Sequence, residues 1–188
     1  MEINLFAEIT FYLWVLSEIA ILIKTKLQRK NTVSENKDKG SIRMIMIGIF
    51  LCLFVTQLCN VLKLGIVPPT LSYAGTFIII IGICIRLWAV AVLGRHFSLV
   101  VSVDAEQKII QKGPFRVIRH PSYTGELLSF IGIGLAFHTW VGSLIMVGFF
   151  IIVFGYRMRI EEKALMESFP DDYPRYIQKT SKIIPFVW

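Results

Sequence analysis

The chain of 188 residues is short of acidic side chains, with 13 Asp and Glu against 20 Lys and Arg, and it holds only three cysteines. Cys52, Cys59 and Cys84 all sit inside apolar runs without C-x-x-C spacing, so they read as small packing residues rather than a redox pair or a disulfide frame. His96, His120 and His138 are scattered, with no H-E-x-x-H and no Cys/His cluster, and no metal site can be argued from them. No G-x-G-x-x-G opens a helix after a strand pattern, which removes the usual dinucleotide fingerprint. Internal repeats and low-complexity segments are missing as well. The formal charge of +7 would suggest nucleic acid if the basic residues lined one polar face. They gather instead between apolar runs, a distribution that favours membrane topology and the expectation of no nucleic-acid partner.

Apolar residues are what the chain has in excess: 55% of it is hydrophobic, against roughly 45–50% in an ordinary soluble domain. The expectation is an all-α integral membrane protein, residues 1–188 forming one domain. Five apolar runs are legible, at 5–23, 44–62, 74–93, 123–137 and 140–156. A helix crossing a hydrocarbon core of about 30 Å needs about 20 residues, so the fourth run is short unless it tilts or begins inside the polar segment before it. The basic residues that follow the first run, and the lack of a small-x-small cleavage site, favour a retained first span over a signal peptide. Residues 24–43 carry seven basic and two acidic side chains, and 95–119 are basic again. The positive-inside rule therefore predicts five spans with the N-terminus outside and the C-terminus and active site on the cytoplasmic side. On this layout residues 1–94 hold three spans, and 95–188 hold a loop, a helical hairpin and a C-terminal helix.

Three polar features stand out against this background. Arg86 lies within the third run, where a charge costs at least ~2.5–3.5 kcal/mol, so it should face the bundle and find a partner among Glu8, Glu18 and Glu126. Gly113-Pro114-Phe115-Arg116 followed by Arg119-His120-Pro121-Ser122-Tyr123 and Gly125 is turn-rich and basic, with Pro121 suited to the first turn of a helix that Ser122 could cap. Arg157 and Glu161, four residues apart, share one helix face, and with Arg159 and Glu162 they crowd the point where the fifth run leaves the bilayer. The alternation of sides returns this group to the surface that carries the first motif. Pro170 and Pro174 are expected to end the regular helix, and the aromatics of the tail, Tyr173 and Tyr176 among them, suit the membrane interface.

Taken together, the blocks Gly113-Pro114-Phe115-Arg116-x-x-Arg119-His120-Pro121-Ser122-Tyr123-x-Gly125, Arg157-x-x-x-Glu161-Glu162, Phe169-x-x-x-Tyr173-x-x-Tyr176 and Ile183-Ile184-Pro185 resemble the isoprenylcysteine carboxyl methyltransferase family. The resemblance covers the C-terminal half. It implies an integral-membrane methyltransferase that uses S-adenosyl-L-methionine without a Rossmann fold. By position in the family pattern, the cofactor would lie against Gln107, Lys108, Ile109, Ile110, Phe115, His120, Pro121, Ser122, Tyr123 and Glu162. Arg157 and Glu161 match the paired residues at the reacting end. Gln107 and Phe115 stand where the family often has His and Tyr. The implied acceptor is a lipophilic small molecule or prenylated substrate entering from the bilayer. Carboxyl O-methylation is the family-level expectation, with O-methylation of a lipid-like phenol or pyrone and N-methylation of a phospholipid amine as rivals. A non-catalytic membrane protein that binds lipid or a partner is the reading outside the enzyme class.

Overall fold

The computed structural model describes residues 5–29, 41–97 and 109–185. Each apolar run folds as a helix: α1 Leu5–Arg29, α2 Ser41–Val61, α3 Pro69–Leu93, α4 Pro121–Ala136 and α5 Trp140–Ser168, followed by a short α6, Asp172–Lys179. Single 3-10 turns occupy Gly94–His96 and Gly113–Arg116. Among the described residues there are no strands beyond isolated bridges. Leu5–Gln28, Pro69–Leu93 and Trp140–Ser168 are long and apolar enough to cross a membrane, and Ile45–Val61 is a shorter apolar helix. Large apolar side chains such as Phe6, Ile47, Phe54, Ile151 and Ile152 are exposed, as suits a surface whose solvent is lipid. The chain is an all-helical integral membrane protein.

The backbone of the bundle is the antiparallel pair of α3 and α4. Gly82 faces Gly125 and Gly75 faces Gly132, and a Cβ placed on Gly125 would meet the Gly82 carbonyl at 2.5 Å. Both pairs are seven residues apart, so each helix presents a flat stripe every second turn, the close approach that small residues permit between membrane helices. Ser72 Oγ closes one end of the contact on the Ala136 carbonyl at 2.9 Å, and Arg86 closes the other on Ser122. α1 packs on α3, and α2 packs on α5. A core of Trp14, Ile79, Phe130, Ile133, Met146, Phe150, Phe154 and Met158 fills the centre.

α4 begins inside the polar motif, with Pro121 at its first turn and His120 before it in a non-helical conformation, because the residue preceding a proline is disfavoured in the helical region. The expected capping by Ser122 does not occur: no side chain caps α4, and the Ser122 hydroxyl is turned to Arg86 instead. At the other end, His138 takes a left-handed φ of 59° and Thr139 caps α5 by accepting from Gly142 N at 3.2 Å. Pro170 lies in the break after α5, but Pro174 does not end a helix; it sits in the first turn of α6, where a missing N–H costs nothing. Tyr173 and Tyr176 are likewise not interfacial, being 2% and 4% exposed.

Candidate active site

The His120 segment is held from behind by the C-terminal stretch. Residues 180–185 run beside 117–120, joined by a parallel bridge between Ile118 and Ser181. Arg119 N donates to Ser181 O at 2.8 Å, His120 N to Lys182 O at 3.1 Å and Ser181 N to Val117 O at 2.9 Å. Thr124 Oγ1 donates to Ile183 O at 2.8 Å, and Ile183 is buried in the central core. The Arg119 guanidinium bonds the carbonyls of Ile177 and Thr180 and reaches Glu162 Oε1 at 3.1 Å. Lys182 Nζ meets the other oxygen of Glu162 at 2.9 Å. Tyr176 Oη donates to the Phe115 carbonyl at 2.8 Å, fixing the 3-10 turn that Gly113 enters with a left-handed φ of 55°.

In front of this clasp lies a cavity of about 460 Å³, within the ordinary range for small-molecule sites. Ile109, Ile110, Phe115, His120, Pro121, Ser122 and Tyr123 line it, as do Arg157 and Glu161. The fold thus brings most of the residues singled out by the sequence into one place. Gln107 and Lys108 lie outside the described residues. Glu162 does not line the cavity; it stands behind the wall, shared among Arg119, His120 and Lys182. That arrangement ties the Glu162 carboxylate to the His120 segment and to the C-terminal stretch.

The His120 ring stacks on Tyr123 with centroids 5.6 Å apart, and its two nitrogens face two carboxylates, Nε2 to Glu162 at 3.2 Å and Nδ1 to Glu161 at 3.6 Å. Tyr123 in turn packs edge-on against Phe154 and receives Arg157 Nε at 3.4 Å. Along α5 the cavity is lined by Phe154, Arg157, Glu161, Ala164 and Leu165. The charged pair thus shares one cavity with the His120 segment, here called its mouth, and with an apolar gallery. α1 and α2 build that gallery with Trp14, Val15, Ile19, Ile45, Ile49, Phe50 and Leu53. Tyr173 and Tyr176 line the mouth, and burial raises both phenols above the ordinary tyrosine range, so they act as neutral walls, Tyr176 also as a donor.

Sequence reading missed the gallery, whose residues look like any lipid-facing helix, and it misplaced the two tyrosines. Their one available signal was the Tyr173-x-x-Tyr176 spacing, which puts both rings on one face of a short helix.

A family model described as phospholipid methyltransferase matches residues 71–172. The chain is 34% identical over 121 residues to a probable protein-S-isoprenylcysteine O-methyltransferase of Oryza sativa subsp. indica, covering 62% of each protein. It is 30% identical to the protein-S-isoprenylcysteine O-methyltransferase of Saccharomyces cerevisiae over 74% of this chain and 54% of that one. The chain thus spans only about three fifths of the length of the first curated relatives it matches. Among solved structures, the eukaryotic intramembrane Ras methyltransferase superposes over 98% of this chain and 69% of its own, with a TM-score of 0.71 at 19% identity. At that identity the likeness establishes a shared fold.

Proposed function

The chain belongs to the phospholipid methyltransferase family, and from that premise we propose that it transfers a methyl group from S-adenosyl-L-methionine to a lipophilic acceptor, of the isoprenylcysteine carboxylate type. The single observation that carries this reading is the form of the cavity. One continuous space is lined by a mouth of aromatic and polar residues, by an apolar gallery, and by Arg157 and Glu161.

The residues of the mouth fit the cofactor in chemistry. Phe115, Tyr173, Ile109 and Ile110 offer flat apolar walls to a purine, and the Glu161 carboxylate with the rings of Tyr123 and Phe154 suits a cationic sulphur. When bound, the cofactor supplies an electrophilic methyl group. The protein's own task is to position the acceptor and exclude water. Arg157, 5% exposed, presents paired N–H donors that orient a carboxylate, and a carboxylate is ionised near neutral pH without help from a base. For a phenol or a phospholipid amine, which must lose a proton, Glu161 is the proton acceptor within reach of the same space; the description of the matched family favours keeping this second reading. The gallery of α1, α2 and α5 admits the acceptor's tail from the bilayer. The mouth takes the charged cofactor from the cytoplasmic side, an orientation supported by the basic segments at 24–43 and 95–119, with the N-terminus outside.

Two measurements test this. Calorimetry of the purified protein should register micromolar binding of S-adenosylhomocysteine, and mass spectrometry of membranes supplied with labelled S-adenosyl-L-methionine should find lipophilic products that gain a methyl group. Arg157→Ala and Glu161→Ala should each abolish transfer while S-adenosylhomocysteine, whose sulphur is uncharged, still binds. Wild-type turnover in either variant removes the role given to that residue, and no binding in the wild type removes the enzyme reading altogether.

A further inference from the structure

A second hollow, a groove of about 250 Å³, shares no residue with the cavity. Arg116 and Val117 line it from the end of the 3-10 turn, and Gln178, Lys179, Thr180 and Ser181 line it from the end of α6 and the stretch that follows. It is smaller than an ordinary small-molecule site of about 300–1,000 Å³, so it suits one compact polar group. Neighbouring cations are already taken: Arg119 and Lys182 both pair with Glu162. Arg116 and Lys179 are exposed, and among the described residues no ion pair includes either.

The protein supplies no counter-charge here. No carboxylate lines the groove, and the acidic residues of α6, Asp172 and its predecessor Asp171, stand at the opposite end of that helix, about 10 Å of rise from Lys179. The carbonyls of Ile177 and Thr180, which could have faced the cations, accept from Arg119 instead. Two like charges held over one hollow repel each other unless an anion lies between them. Solvated cations on a helix end need no partner, so the location has to decide.

The groove lies at headgroup depth. A Cβ on Gly113 would stand 3.4 Å from Trp88 Nε1, and Trp88 is 54% exposed near the end of α3. A tryptophan in that position marks the membrane–water boundary, and Arg116 belongs to the same turn as Gly113. Thr124, in the first turn of α4, holds the Ile183 carbonyl, which lays the C-terminal stretch along the same rim. Beside the cations, Val117 and Ile184 are 38% and 46% exposed. A free phosphate gains nothing from them, whereas the glycerol and first methylenes of a lipid would cover both.

We propose that Arg116 and Lys179, with Gln178 as a third donor, bind the phosphate of an anionic membrane phospholipid, whose acyl chains start against Val117 and Ile184. Ser181 N bonds Val117 O across the two segments, so the lipid ties the 3-10 turn to the end of α6 from outside. The inference goes beyond the methyltransferase reading and depends only on the membrane setting.

Native mass spectrometry of the full chain in detergent counts bound lipid directly. Half-saturation of the first site by dioleoylphosphatidylglycerol should come at a concentration at least about tenfold below that of dioleoylphosphatidylcholine, the scale of two basic side chains at an anionic surface. Arg116→Gln combined with Lys179→Gln should bring the two values within about threefold at an unchanged melting temperature. Lys63→Gln, at the opposite end of the bundle, should keep the wild-type preference. If the double variant melts lower, the single variants decide, each with an expected loss of about fivefold. Equal values for the two lipids in the wild type overturn the inference, as does a preference that survives in the variants or falls as far in Lys63→Gln. Displacement of the lipid by glycerol phosphate, or by an oligoglutamate peptide, at equal concentration also overturns it, because the site would then read a free phosphate or an acidic chain.

Discussion

Replacing Arg86 with methionine removes the cation on which α1, α3 and α4 converge. Methionine fills much of the volume of the arginine stem, so the change is mainly electrostatic. What disappears are the two bonds to Glu18, the two to Ser122 and the charge beside Glu126. Breaking one partner out of a buried ion pair costs about 3–5 kcal/mol, because the remaining charge stays desolvated. For a chain of this size each kcal/mol lowers the melting temperature by about 2–4 °C, so the expected drop is about 6–20 °C. Because Ser122 lines the cavity proposed to take the cofactor, the affinity for S-adenosylhomocysteine should fall in parallel. The triple variant Glu18→Gln, Arg86→Met, Glu126→Gln leaves no orphaned charge and should regain most of the lost stability, since replacing a whole buried ion set is often near neutral. Thermal melts of detergent-solubilised protein followed by size-exclusion fluorescence measure both. A single variant melting within about 1 °C of wild type, or a triple variant melting below the single one, refutes the assignment of Arg86 as the charge that holds these helices together.

The clasp behind His120 should be visible in binding: Lys182→Met leaves Glu162 with one fewer cation, and calorimetry should show S-adenosylhomocysteine affinity reduced about tenfold, the scale of a lost hydrogen bond to a charged group. Gly125→Ala drives a methyl group onto the Gly82 carbonyl and should lower thermal stability by about 1–3 kcal/mol through overpacking, whereas Gly155→Ala, with open space at its Cβ, should leave the melting temperature unchanged. The buried phenols of Tyr173 and Tyr176 have folded-state pKa values above the unfolded value of about 10. Their contribution to stability is therefore complete below pH about 10 and is lost as the pH rises beyond it. Tyr176→Phe should flatten that alkaline loss in melts taken from pH 9 to about 11, at the cost of the bond to the Phe115 carbonyl.

Much of the molecule follows from the chain alone. Continuous apolar runs leave helices as the economical way to satisfy their backbone in lipid, and Pro121, Thr139 and Pro170 mark helix boundaries by local rules that need no tertiary information. Arg157 and Glu161 share a face by spacing alone, and the block pattern from Gly113 to Pro185 carried the resemblance to methyltransferases. Local rules could not decide between competing partners. Ser122 follows Pro121 inside the first turn of α4 and so stands past the cap position, which His120 holds, and the antiparallel fit of Gly82 on Gly125 brings Arg86 within reach of its hydroxyl. Tyr173 and Tyr176 read as interfacial anchors until the C-terminal stretch folds back on residues 117–120 and encloses them. Glu162 lies one residue from Glu161 yet turns away from the cavity, because consecutive helical residues point about 100° apart and Arg119 and Lys182 wait on that side. The gallery between α1, α2 and α5 exists only once those three helices have been assembled. Hydropathy reports how apolar a residue is, and only packing decides whether that residue meets lipid, core or substrate.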